Sequence, residues 1–112
     1  MKVAIVGSRG YSAPTKVVKY VRLLPRDTVV ISGGAAGVDT WAEAAALFHG
    51  LETIVFPAQW DRHGRAAGMM RNSDIVGVAD RLVAFWDGVS RGTEDSINQA
   101  RARGIPVEVI AT

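Results

Sequence analysis

Residues 28–39 run Thr28-Val29-Val30-Ile31-Ser32-Gly33-Gly34-Ala35-Ala36-Gly37-Val38-Asp39. The opening β-branched run has no polar alternation, which is the pattern of a strand buried on both faces. Ser32-Gly33-Gly34 closes it, and glycine there permits positive φ and a close approach to the backbone. Val38 to Phe48 follows as an alanine-rich helix, stopped by Gly50. Strand, glycine turn and helix in that order make half of a parallel β-α-β unit.

The flanking segments repeat the pattern. Lys2 to Val6 is a first strand ending at Gly7. Ser12 with Pro14 starts a helix whose Val17, Val18, Val21 and Leu24 share one face, and Pro25 ends it. Thr53 to Phe56 is a third strand closed by Pro57, and Gln59 to Arg65 is a polar loop. Ala66 to Ala79 is a helix despite Gly68 and Gly77. Leu82 to Trp86 is a fourth strand, Thr93 to Arg103 a fourth helix stopped by Gly104, and Val107 to Ile110 a fifth strand. Strands apolar on both faces, alternating with helices, predict an α/β class: a single doubly wound, Rossmann-like domain over residues 1–112. The expected five-stranded parallel sheet has the order 3-2-1-4-5, with helices on both faces. Ligands of such sheets bind beyond the carboxyl ends of the strands at the switch point, here between strands one and four.

Composition narrows the function classes. The 112 residues are 48% hydrophobic and 21% charged, ordinary for a globular domain. Cysteine is absent, which excludes disulfides and cysteine chemistry, and His49 and His63 are too few and too separated for a zinc site. No metal is therefore expected. No apolar run reaches the roughly 20 residues that span a bilayer, and the N-terminal segment has the pattern of a strand rather than a signal peptide. The expectation is a cytoplasmic protein with no membrane partner. With 13 basic and 11 acidic residues the formal charge is +2, mildly basic without a charge run.

Three glycine turns fall beside the expected switch point: Gly7-Ser8-Arg9-Gly10, the run from Ser32 to Asp39, and Asp87-Gly88-Val89-Ser90-Arg91-Gly92-Thr93. Each opens towards a helix, whose N-terminal N–H groups and dipole suit a phosphate. Ser8, Ser32, Ser90 and Thr93 add hydroxyls, and Arg9 and Arg91 add guanidinium groups suited to bidentate phosphate contacts. Any one of these turns is equally explained as a tight turn with a solvated arginine. Their convergence favours a ligand. None matches GxGxxG or the Walker phosphate loop.

Several further residues carry two readings each. Asp39 either complements a helix dipole or accepts a ribose hydroxyl or base, and Glu43 lies one turn later. Trp86 either stacks on a base or packs in the core, Trp41 packs its helix, and Trp60 is a lid or a subunit contact. Arg71 is a surface cation or one that reaches a phosphate, and His63 is an ordinary loop histidine or an acid–base group.

The series GSRGY, SGGAAGVDTWAE, FPAQWDRHGRAAGMMRN and AFWDGVSRGTEDSI resembles the SLOG superfamily over nearly the whole chain. That superfamily groups the DNA-processing protein DprA, the LOG-type nucleotide phosphoribohydrolases and small stand-alone sensors. The YspA-like subfamily is the nearest resemblance. The resemblance implies a Rossmann-like fold and a nucleotide or nucleotide-derived ligand; apart from that nucleotide-like ligand no cofactor is assigned. It carries over to Gly33, Gly34, Gly37 and Asp39 as the GGxxGxD turn, to Arg71 and Asn72 as the arginine element, and to Gly92 and Thr93 as the GT turn. LOG-type enzymes place a glutamate three residues after that threonine, where this chain has Ser96. Glu94 and Asp95 are out of that register.

Three functions follow from these readings. The first is a sensor or binding module for a small-molecule nucleotide. The second is a nucleotide-processing enzyme cleaving an N-glycosidic bond, with Glu43, Glu94 or Asp95 as the carboxylate. The third is a DprA-like binder of single-stranded nucleic acid, for which Arg9, Arg62, Arg65, Arg71 and Arg91 are the cations. A homo-oligomer, a dimer or larger, is expected because a small sheet leaves edges to cover.

Overall fold

The apolar runs become the strands β1 (Lys2–Gly7), β2 (Val29–Ser32), β3 (Glu52–Val55), β4 (Arg81–Trp86) and β5 (Val107–Ala111). Between them lie α1 (Pro14–Arg22), α2 (Val38–Phe48), the single turn α3 (Trp60–His63), a 3-10 turn (Gly64–Ala66), α4 (Ala67–Val78) and α5 (Arg91–Ala102). The computed structural model describes all 112 residues. The five strands form one parallel sheet in the order β3-β2-β1-β4-β5. β1 lies at its centre, with residues 2–4 beside 29–31 of β2 and residues 3–7 beside 81–85 of β4.

Side chains alternate across the pleat, so each central strand feeds two cores. Val3, Ile5, Val83 and Phe85 pack with Val17 and Val21 of α1 and Val38, Ala42 and Ala46 of α2. Ala4, Val6, Leu82 and Ala84 pack on the other face with Ile75 and Val76 of α4 and Ile97 and Ala100 of α5. α1 and α2 therefore cover one face and α4 and α5 the other. Small residues at 4 and 84 let the second pair of helices lie close to the sheet. Trp41 packs partly buried against the first core.

The structure departs from the sequence expectation in three places. Residues 60–66 are not an open polar loop. The Gln59 carbonyl accepts the N–H groups of Arg62 and His63, each at 3.0 Å, closing one helical turn. Asp61 at its start and Arg62 and His63 at its end suit the helix dipole. α1 is capped at Ala13 and Leu23 rather than running from Ser12 to Pro25. Leu24, preceding proline, is biased away from helical ψ. Val18 lies outside the core, because Val17 and Val21, four apart, form the buried stripe.

Candidate functional site

The turns after β1, β2 and β4 emerge side by side, because strand order brings their carboxyl ends to one edge of the sheet. They meet through close backbone approaches. A side chain at Gly37 would come within 2.9 Å of the Arg9 carbonyl, and its φ of +84° belongs to glycine, so the first two turns pack together only with glycine there. The Ser8 amide donates to the Phe85 carbonyl at 3.1 Å, and the Asp87 amide donates to Ser8 Oγ at 3.2 Å. These bonds lock the first turn to the third.

Beyond this locked edge opens a cavity of about 580 Å³. Gly7, Arg9 and Gly10 of the first turn line it, with Ala35 and Asp39 of the second and Asp87, Ser90, Arg91, Gly92 and Thr93 of the third. α3, the 3-10 turn and α4 contribute Trp60, Arg65, Gly68, Met69, Arg71 and Asn72, and α5 contributes Asp95 and Ser96. Arg9, Arg65 and Arg91 are exposed and come from three separate elements. Ser90 stands at the N-cap of α5, where its hydroxyl pairs with Thr93 Oγ1 at 3.2 Å and caps no backbone amide. The first-turn N–H groups of α5 thus remain for solvent or a ligand.

Other expected ligand contacts turn out to build the walls. Ser8 is buried, and its hydroxyl accepts the Asp87 amide. Ser32 is buried, donates to Glu43 Oε2 and accepts the Gly34 amide at 3.3 Å. Neither hydroxyl lines the cavity, and Gly33, Gly34 and Gly37 are also outside its lining, Gly34 being exposed. Trp86 is not at the cavity as a stacking ring: its Nε1 donates to the Ser90 carbonyl at 3.0 Å and its ring packs on the α4–α5 core. Glu43 and Glu94 lie outside the lining, whereas Asp95 is in it and accepts Asn72 Nδ2 at 3.0 Å and Gln99 Nε2 at 2.8 Å. Ser96, in the LOG glutamate register, has its hydroxyl on the Gly92 carbonyl at 3.3 Å. His63 lies outside this cavity, beside a smaller one under Phe56 and Met70.

Asp39 is a buried carboxylate serving the protein itself. Its Oδ2 accepts the Gly33 amide at 3.1 Å and the Ala35 amide at 3.3 Å, holding the second turn in shape. Burial raises its pKa from 3.8 to about 6, opposed by those amides and by the Arg71 guanidinium. Arg71 is likewise engaged. Its Nη1 donates to the Gly33 carbonyl at 2.7 Å and its Nε to Asn72 Oδ1 at 2.9 Å. Asn72 Nδ2 donates onward to the Gly92 carbonyl at 3.2 Å. Arg71 and Asn72 therefore clamp α4 to the second and third turns. Gly33 leaves room for this, since a Cβ there would lie 2.5 Å from Arg71 Nη1. Asp87, overlooked as a separate site residue in the sequence, accepts the Val89 and Ser90 amides at 2.9 Å each. Those bonds hold its carboxyl below the usual range. The readable signal was an Asx turn, Asp-Gly-Val-Ser.

The family model for DNA recombination-mediator protein A matches residues 1–63, from β1 through α3. The chain belongs to the DNA recombination-mediator protein A family. A Gene 61 protein of Mycobacterium phage D29 is 36% identical over 95% of this chain and 93% of its own length. Among solved structures, DNA processing protein A (DprA) from Streptococcus pneumoniae matches 99% of the chain with a TM-score of 0.84 and 26% identity. DNA processing protein A from Helicobacter pylori, a protein with a single-stranded DNA binding mode, matches the fold with a TM-score of 0.82 and 21% identity. The chain spans 50% of the pneumococcal protein and 66% of the Helicobacter protein. The DprA-like superfamily and the Rossmann-like sheet expected from the motifs are thus those of the family.

Proposed function

We propose that this DprA-like domain binds single-stranded DNA across the cavity at the carboxyl edge of its sheet. The observation that carries the reading is the convergence of the exposed Arg9, Arg65 and Arg91 from three elements on one cavity. A nucleic-acid backbone offers phosphates in a row, and separated cations track it better than a single clustered site would. The start of α5 supplies amide donors to one phosphate. Family membership and the binding mode of the Helicobacter relative support the same reading.

Fluorescence anisotropy with a labelled oligodeoxynucleotide, titrated at several salt concentrations, tests it. Three phosphates neutralised on a single strand give a slope of log K against log salt of about −2. Arg9→Ala and Arg91→Ala each reduce that slope by about 0.7. Absent or salt-insensitive binding overturns the proposal.

A second reading is favoured by size. At about 580 Å³ the cavity falls in the range that holds one small molecule, so a lone nucleotide is the competing ligand. Gly34→Val abolishes binding under either reading, because Gly34 has φ +68° and shapes the second turn. Placement in the YspA-like subfamily stays part of this proposal, supported by the motif series. So does self-association, supported by the exposed edge strand β3 and the exposed Leu47 and Phe48 at the end of α2.

A further inference from the structure

The cavity lining divides chemically by element. The turns after β1 and β4 bring arginines and amides, whereas α3 and the start of α4 bring Trp60, Gly68 and Met69. Trp60 leaves 53% of its surface exposed although it stands at a cavity and not on an outer face alone. The ring is not loosely placed. A Cβ on Gly68 would lie 3.3 Å from Trp60 Cη2, so the far edge of the indole lies against the one residue of that turn without a side chain. Gly68 stands in the first turn of α4, and the space it leaves is taken by the indole. The Nε1 group has no partner among the side-chain bonds of this segment, where Arg62 and Gln59 bond each other. Trp86, the other tryptophan near the edge, is committed to the Ser90 carbonyl and the core.

An aromatic ring held edge-on by a helix, beside cations that suit phosphate, is the pairing by which nucleic-acid sites hold a base and its backbone together. We propose that Trp60, seated on Gly68, is the platform on which the cavity stacks a nucleobase. The proposal rests on the reading of the cavity as a nucleic-acid site and adds to it a base-binding subsite. The same chemistry serves a base on a strand or on a free mononucleotide. Stacking is tolerant of base identity, because every base has a π-face.

The test compares three probes by anisotropy or competition: an oligothymidylate, an abasic strand of equal length, and thymidine monophosphate. The wild-type chain binds the oligothymidylate about tenfold more tightly than the abasic strand, within the range for one base–aromatic stack. Trp60→Ala erases that difference and leaves the abasic affinity unchanged, while Trp60→Phe keeps most of it. Gly68→Ala crowds the indole, shifting it by a few tenths of an ångström, and narrows the difference. Competition by the monophosphate, lost in Trp60→Ala, assigns the base to a free nucleotide as well as to a strand. Equal wild-type affinity for the two strands, with steep salt dependence, removes Trp60 from the site and leaves the arginine reading intact. A Trp60→Ala chain that weakens on both strands alike assigns the residue a structural role and overturns the proposal. No binding of any probe overturns both readings.

Discussion

At the scale of single residues, Asp39 has the sharpest consequences. Its carboxyl is buried yet ionised at neutral pH, with two backbone amides in place of water. An acid whose folded pKa lies above its unfolded value holds protons more tightly in the folded state. Its contribution is therefore fully present below pH 3.8 and lost as pH rises through about 6. A shift of this size corresponds to about 3 kcal/mol between the two limits. Asp39→Asn is expected to flatten the pH dependence of thermal stability between those values, checked by melting curves of both chains across that range. Gly37→Ala places a Cβ against the Arg9 carbonyl at a φ of +84°. It should cost about 1–3 kcal/mol, visible as a lower urea midpoint. None of this was readable from Asp39 or Gly37 alone. A carboxylate two residues after a glycine suits a ligand, a dipole or a loop equally, and only the facing amides decide among them.

At the scale of elements, the site is held by the clamp from α4. Arg71 reaches the second turn, and Asn72 reaches the start of α5. Asn72→Ala removes the partner of a buried network and is expected to cost about 1–2 kcal/mol, lowering the midpoint by roughly 5–10 °C. Because α5 then loses its tether, affinity for an oligonucleotide should fall with it. A lowered midpoint with unchanged affinity would separate the clamp from the site. The elements themselves were largely legible. Five apolar runs, each closed by glycine, proline or a polar turn, specify strands through local periodicity. The turn of helix at Trp60–His63 was not legible, since a four-residue helix has no repeat to read and depends on the Gln59 carbonyl.

At the scale of the whole molecule, the sheet order brings three sequence-distant turns to one edge and opens a cavity there. A ligand at about 100 times its dissociation constant adds roughly 2.7 kcal/mol, which for this length raises the midpoint by on the order of 10 °C. A thermal-shift comparison of oligonucleotides with mononucleotides, cyclic nucleotides, NAD and ADP-ribose should therefore rank strand above monomer. The reverse ranking would move the conclusion to a small-molecule site. No helix is long and apolar enough to cross a membrane.

The sequence by itself determined the parallel Rossmann-like sheet, its order and the three glycine turns that meet at one edge of it. Those features follow from local hydrophobic runs, glycine punctuation and the handedness of crossovers, all carried by neighbouring residues. The tertiary structure decided which polar groups meet the cavity and which build its walls. Ser8 finds Asp87 at a separation of 79 residues, and Arg71 finds Gly33 at 38. A hydroxyl or guanidinium takes its role from the partner that satisfies it once water is excluded, and for these side chains the partner is set by packing between distant segments.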